Sequence, residues 1–550
     1  MRLPVARHFS LKIIIMSVVV SLFLCSYAQP YSSPISLQER VNNSDFVLEG
    51  KVVSKFSFWN DKHTNIYTSN TLDIYKIFKG NLNPSEVALI TKGGLVGTEL
   101  EIVTDALELN VGDIGIFFCK FLNNGATEGE GVTLKPFGDE QGFIRYDLKK
   151  DVAMDGFRSY KHITNSLYSE IIKITGEDYR EIKALYSSSL SRYSALSTLT
   201  ITSFEPSSVP AGTAHKLTIY GSGFGSSQGS GVVWFRNADN GGWSLIAHGV
   251  GSPAYRSWTD TEIILYLPDN AGTGPIEVEN DMGQRAESAM TLDVPFAISE
   301  PIYYAGEART PLVGNYNGNG GYTFWMNTEF YADSGARNTA LAAISKFICE
   351  TGVNWESGET TTVNASIRDG INALRFSTSG ELGSGTLGRT STYYSTNMYG
   401  TRSYLEEIDI VFNIDTNWYF GDGNPPSTLY DFQSVVLHEL GHAILLGHVN
   451  DYNDLMYYAI GRGEIKRELN KNLKDGVDYV LDYSEANLTL SMIRARMVAC
   501  PSLEDVIVLL QLLTGLDVDN PCPFQDYDCE NGLGLKEAAY MLQKVSGLRE

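Results

Sequence analysis

The chain has 550 residues, 43% of them apolar and 19% charged, with a formal net charge of −23. A single hydrophobic core stops growing near roughly 250–300 residues, so this length excludes a one-domain protein and suggests about three to five domains. The composition excludes a disordered or coiled-coil chain, and so acidic a protein is a poor partner for nucleic acid.

Residues 1–28 read as a secretory signal peptide. Arg2, Arg7 and Lys12 precede an uncharged run from Ile13 to Cys25, and Ser26-Tyr27-Ala28 supplies a small-x-small cleavage site. The run is shorter than the roughly 20 residues that span a bilayer, so no transmembrane anchor is expected. Leu24 is large where a lipoprotein site needs a small residue, which argues against lipidation at Cys25. The mature protein is therefore expected outside the cell, at the cell surface or in a periplasm. Removing the signal takes away three basic residues and no acidic one, leaving a charge of −26. Solubility accounts for such an excess, and calcium binding would use it. Five cysteines remain, Cys119, Cys349, Cys500, Cys522 and Cys529, so at least one stays unpaired within a monomer. A disulfide among the last three is compatible with export.

Residues 29–185 read as an N-terminal all-β domain, a small barrel or sandwich. Phe46–Val53, Ser69–Phe78 and Glu86–Ile90 are β-prone runs separated by Gly and Asn turns. The segments "DFVLEGKVV", "IYTSNTLDIYKIFKG" and "LNVGDIGIFF" are similar to a β-domain of bacterial secreted proteins, and no activity follows from that. Residues 186–199 are Ser-rich with few apolar anchors, as in a linker. In residues 200–295, Pro206 and Pro210 set an entry turn, Gly221, Gly223 and Gly225 break a hairpin, and alternating apolar residues mark half-buried strands. "ITSFEPSSVPAGTAHKLTIYGSGFGSSQGS" and "WTDTEIILYLPDNAGTGPIEVEN" resemble the IPT/TIG family, which implies an immunoglobulin-like β-sandwich acting as a spacer or adhesive module.

Between residues 296 and 484 the pattern turns mixed, as in an α+β domain. Asn338–Thr351 has helical spacing with Leu341, Ile344, Phe347 and Ile348 on one face, and Glu407–Ile414 alternates as a strand. Asp431 is placed to cap a helix running to Leu446, with Phe432, Val435, Val436, Leu440 and Ala443 on its inner face. On that helix His438 and His442 stand four residues apart, so both imidazoles share a face and can bind one zinc ion. Glu439 projects beside such a metal and is suited to accept a proton from the activated water. Three of the eight histidines fall within residues 438–448, and His448 would be a third ligand, leaving the fourth position open as catalysis requires.

"HELGHAILLGH", followed by "VNDYNDLMYY", resembles the metzincin peptidases and within them the matrixins, bacterial matrixin-like sequences included. Their pattern is H-E-x-x-H-x-x-G-x-x-H with a methionine turn. The resemblance implies a zinc metalloendopeptidase acting on protein or peptide substrates, with Met456 as the turn methionine. It also implies a last helix in "LNKNLKDGVDYVLDYS". Where the family has glycine, this chain has Leu445, so either the turn is delayed to Gly447 or Leu445 holds a left-handed backbone. Cys119 sits in an apolar run, "IFFCKFL", and offers no thiol switch for latency. Tyr458 replaces the matrixin proline and takes the offset at which astacins and serralysins bring a tyrosine to the metal. That likeness implies a hydroxyl for the transition state, against a plain packing role for the ring.

Residues 485–550 form a tail with two expected amphipathic helices, Leu503–Leu513 and Leu535–Val545. Between them Asp526, Asp528, Glu530 and Glu537 occupy positions 1, 3, 5 and 12 of a calcium loop, with Asn531 at the usual glycine position. The tail resembles half a dockerin, which implies calcium and a cell-surface or cohesin-type partner; the plainer reading is an acidic loop that binds nothing. For the whole chain two further functions compete with a secreted peptidase: an inactive zinc-binding adhesion or scaffold protein, and a zinc enzyme acting on a non-peptide ester or amide.

Overall fold

The computed structural model describes residues 35–488, apart from residues 83–84, 105, 123–131, 149, 156, 185–198, 300–301, 305–306, 315, 317–320, 384 and 398–400. The signal-like residues 1–28, most of the Ser-rich segment, and the calcium-loop residues Asp526, Asp528, Glu530 and Glu537 lie outside the described residues.

The first unit is built on a long antiparallel pair, Phe46–Trp59 with Ile66–Lys79. Glu86–Lys92, Thr133–Pro136 and Ile114–Phe121 follow in spatial order, and the last returns to pair with Phe46–Trp59. The result is a closed five-stranded barrel with one parallel pair, and closure removes its exposed edges. Because side chains alternate along each strand, Leu48, Leu72, Ile74, Phe117 and Cys119 fill the barrel. Val47, Ile116 and Phe118 point outward under the helices Leu37–Asn43 and Ser169–Thr175. Cys119 is a free, buried thiol whose pKa burial pushes up, and Cys349 is disulfide-bonded.

The second unit is a sandwich of two four-stranded sheets. One contains Thr200–Glu205, Lys216–Ser222, Glu262–Tyr266 and Tyr255–Trp258. The other contains Leu245–Ile246, Val232–Asn237, Ala271–Glu279 and Arg285–Leu292. Phe204, Leu217, Ile219, Val233, Phe235, Ile263 and Val278 close its core.

The third unit carries an eight-stranded mixed sheet. Trp355–Thr361, Tyr322–Asn327, Asn372–Ser377 and Ser403–Asn413 run parallel, and Gly388–Thr396 then pairs antiparallel. Two further strands, Glu99–Val103 and Gly94–Val96, extend this sheet and come from the first unit's segment of chain. Helices Ser334–Thr351, Phe432–Ala443 and Lys471–Asn487 contribute to the same core as the sheet. The buried face of Ser334–Thr351 is broader than the sequence expectation. Ala336, Ala340, Ala343, Ile344 and Phe347 are buried, whereas Leu341 and Ile348 are half-buried at its margin. Alanines let the backbone of this helix approach its neighbour closely, and apolar size alone does not reveal such a face.

Candidate metal centre

The helix Phe432–Ala443 begins where Asp431 accepts hydrogen bonds from the Ser434 amide at 3.0 Å and the Ser434 hydroxyl at 2.6 Å. The Asp431 carboxylate is buried, and Arg467 compensates it with a charge-assisted bond of 2.8 Å from Nε. Met456 lies directly beneath the helix. A Cβ on Gly441 would come within 2.3 Å of its Sδ, so the glycine inside the helix is what admits the methionine.

His438 donates from Nδ1 to the Leu455 carbonyl at 2.8 Å, and His442 donates from Nδ1 to the Leu446 carbonyl at 2.8 Å. A carbonyl can only accept, so in both rings Nδ1 carries the proton and Nε2 presents its lone pair. These two Nε2 atoms lie 3.0 Å apart. His448 turns toward them, with ring centroids 5.3 Å from His438 and 4.8 Å from His442. One nitrogen from each ring lies within 4.8 Å of the others, and all three residues are buried.

Two facing lone pairs at this distance repel unless a cation joins them. Protonation is disfavoured, because burial first and the neighbouring rings second hold the His438 pKa well below its usual value. Burial, then His448, lowers that of His442 to about 3. A tetrahedral zinc with bonds of about 2.0–2.1 Å sets its nitrogens roughly 3.3 Å apart, so the donor set and its spacing fit zinc.

The turn that brings His448 back is made at Leu445, with φ +69°. Leu446 N–H donates to Gly441 O and Leu445 N–H to His442 O, each at 2.9 Å, which is the bonding of a Schellman cap with Leu445 at its left-handed position. Of the two expectations for this turn, the left-handed leucine is the one observed. A non-glycine residue there costs roughly 1–2 kcal/mol. Leu445 is only 1% exposed, and burying a leucine side chain contributes roughly 1.5–3 kcal/mol, which offsets the strain. Leu445→Ala is therefore expected to destabilise the protein by about 2–5 kcal/mol. Leu445→Gly removes the same side chain and relieves the backbone, so it should be the more stable variant by about 1 kcal/mol. Denaturant titration of both checks this, and an alanine variant as stable as the glycine variant would contradict the strained turn.

Glu439 is buried on the same helix. The Thr390 hydroxyl donates to its Oε2 at 2.7 Å, and a Cβ on Gly388 would fall 2.6 Å from Oε1. Both residues belong to Gly388–Thr396, the strand that would be the free edge of the sheet. Glu99–Val103 pairs there in antiparallel register, Val103 opposite Ser391 and Ile102 opposite Thr392. Beyond it Thr104 N–H donates to Thr390 O at 2.9 Å, and Thr104 Oγ1 accepts from Thr390 N–H at 2.9 Å. An extended segment of this chain thus runs along the strand that positions Glu439.

A cavity of about 380 Å³ opens beside the histidines, lined by His442, His448, Tyr458, Glu108, Asp239 and Asp269. Tyr458 is half-buried with its ring 6.1 Å from Phe157 and 4.8 Å from Tyr457, so it packs as well as facing the cavity. The structure thus gathers His438, Glu439, His442, His448, Met456 and Tyr458 in one region. Thr390, Gly388 and Asp239, whose carboxylate meets His448 Nδ1 at 3.0 Å, were not legible in the sequence. They stand 49, 51 and 209 residues from their partners in sequence, and no local pattern marks them.

Residues 395–480 match the matrixin family, Peptidase M10, and residues 199–294 match the IPT/TIG domain. A metalloendoproteinase of Arabidopsis thaliana, 5-MMP, is 33% identical to this chain over 72 residues, 12% of this chain and 20% of that protein. The chain spans about one-fifth of the length of that curated relative. These likenesses support a metalloprotease in general terms, and the matrixin match together with the histidine triad supports zinc.

Proposed function

We propose that the chain is a secreted zinc metalloendopeptidase of matrixin-like, metzincin type, in which His438, His442 and His448 hold the metal and Glu439 is the general base. The observation that carries this reading is the convergence of three buried imidazoles, two of them fixed by carbonyl bonds to their Nδ1 protons, with the buried Glu439 following His438 on the same helix. A zinc ion held by His438, His442 and His448 would supply acidification of a water molecule and polarisation of the scissile carbonyl. Glu439 takes the proton of the attacking water and returns it to the leaving amine. Thr390 holds the Glu439 carboxylate in one orientation through its 2.7 Å bond. Tyr458, on the wall of the same cavity, donates its hydroxyl to the developing oxyanion. Tyr458→Phe should then lower kcat with zinc content unchanged, and an unchanged kcat would leave the ring as packing.

A peptide substrate reaches this site as an added strand. The edge Gly388–Thr396 lies beside Glu439, and an extended peptide would make the ladder bonds that Glu99–Val103 makes now. Export is supported by the signal-like N-terminus, and no helix among the described residues is long and apolar enough to cross a membrane. The occupied edge is the observation that favours a second reading, an inactive zinc-binding scaffold. Incubation of the purified mature protein with a broad peptide library, with and without a zinc chelator, tests the proposal. Chelator-sensitive cleavage supports it, and cleavage that ignores the chelator, or none from a variant in which Glu99–Val103 no longer covers Gly388–Thr396, overturns it.

A further inference from the structure

The three histidines are not anchored alike. His438 and His442 sit on the helix Phe432–Ala443 and donate to neutral backbone carbonyls beyond its end, those of Leu455 and Leu446. His448 lies on the loop after the Leu445 turn, where no helical backbone holds it. Its Nδ1 meets a carboxylate oxygen instead, Oδ1 of Asp239 at 3.0 Å, from the short 3-10 turn Ala238–Asn240 of the sandwich unit.

We infer that Asp239 is a positioning residue for the third metal ligand, so that the IPT/TIG-type sandwich is part of the metal centre. This rests on the zinc reading above. Asp239 is itself held in place. The Asn237 side chain accepts from its backbone N–H at 3.0 Å, and Asn270 Nδ2 donates to its Oδ2 at 3.2 Å, which leaves Oδ1 for His448. The surface around it is built for close approach. Gly241 has φ +67°, and a Cβ there would lie 2.7 Å from Tyr457 Oη and 2.8 Å from a Tyr458 ring carbon. A Cβ on Gly272 would strike the Asn450 amide, which donates to Thr273 O at 2.9 Å. On the far side of the turn Gly447 N–H donates to Ala297 O at 2.9 Å.

A carboxylate on the outer nitrogen of a metal-binding imidazole keeps the proton on that nitrogen, fixes the ring plane and strengthens the inner nitrogen as a donor. Removing such a partner lowers metal affinity by about 10–100-fold. The need is greatest at His448, because its backbone follows a strained turn rather than a helix. Asp239 is 35% exposed at its side chain, so an ion pair with His448 alone would contribute little to stability. The observable consequence is metal affinity rather than folding.

The test compares zinc affinity, by competition with a chromophoric chelator, and the visible spectrum of the cobalt-substituted protein in full-length variants. Asp239→Ala is expected to weaken zinc binding about 10–100-fold and to shift the cobalt spectrum. Asp239→Asn, which keeps an acceptor oxygen, should recover part of the affinity and serves also if the alanine variant folds poorly. Asn450→Ala removes an interface bond without touching His448 and should bind zinc as the parent does. Parental affinity in both Asp239 variants overturns the inference while leaving the zinc reading intact. Equal weakening in Asn450→Ala also overturns it, since the interface as a whole would then be responsible. A parent protein that binds no zinc stoichiometrically removes the premise instead.

Discussion

Glu439→Ala is expected to abolish measurable peptide hydrolysis while the protein still binds one zinc. Glu439 follows His438 on the same helix and is not among the three residues that converge, so its loss removes the proton acceptor and spares the donor set. A positioned general base contributes about 10²–10⁴-fold, which places the variant near the detection limit of most peptide assays. Glu439→Gln is the sharper control. It keeps the volume under Gly388 and an acceptor for the Thr390 hydroxyl, so a fall in rate cannot be assigned to collapse of the wall. His438→Ala and His442→Ala should lose metal as well as activity, and this separates ligand from base. Parental turnover in the Glu439 variants would sink the assignment, whatever the zinc content.

Thr104→Pro is expected to raise kcat/KM for a peptide substrate by roughly 10²-fold. Proline deletes the N–H that donates to Thr390 O, and the substitution also removes the hydroxyl that accepts from Thr390 N–H, so the Glu99–Val103 segment loses its hold next to Glu439. The size follows from competition. A tethered segment acts at an effective concentration on the order of 1 mM, so if its own intrinsic affinity for the edge is about 10 µM it weakens any competing peptide by roughly 10²-fold. The gain should fall in KM if exchange of segment for peptide is fast, and zinc content should not change. Unchanged kinetics in a variant whose Glu99–Val103 segment has left the strand would mean that substrate does not use this edge. The segment has further ties that a variant must overcome, among them Arg368 to Glu99 at 2.8 Å and Thr396 N–H to Thr98 O at 2.6 Å.

Local repeats in the chain carried a good deal of this architecture. Four-residue spacing put His438 and His442 on one helical face, and Asp431 marked the start of that helix because a short acceptor side chain there satisfies amides the helix leaves unpaired. Alternation over Glu407–Ile414 marked a strand, and the structure has one at Ser403–Asn413, buried along most of its length. At Leu445 the residue type posed the question of a strained or delayed turn without answering it, since the answer depends on how much core the leucine side chain gains. On Ser334–Thr351 the sequence marked Ile344 and Phe347, which are buried, and Leu341 and Ile348, which pack at the margin, but it missed the buried alanines, because close helix packing selects alanine where apolar size suggests leucine.

What the sequence by itself determined was therefore what lies within a turn or a strand: the spacing of two imidazoles and a carboxylate, the cap and the periodicities, together with a multidomain, strand-rich character. Only the tertiary structure decided that Thr390 holds Glu439, that Asp239 of another unit meets His448, and that Glu99–Val103 occupies the edge of the sheet. The physical reason is that helix and strand patterns follow from backbone geometry repeated every few residues, which any window of sequence records. A contact across 209 or 286 residues follows from how finished units pack, and nothing near either residue in the chain has to change for it to form.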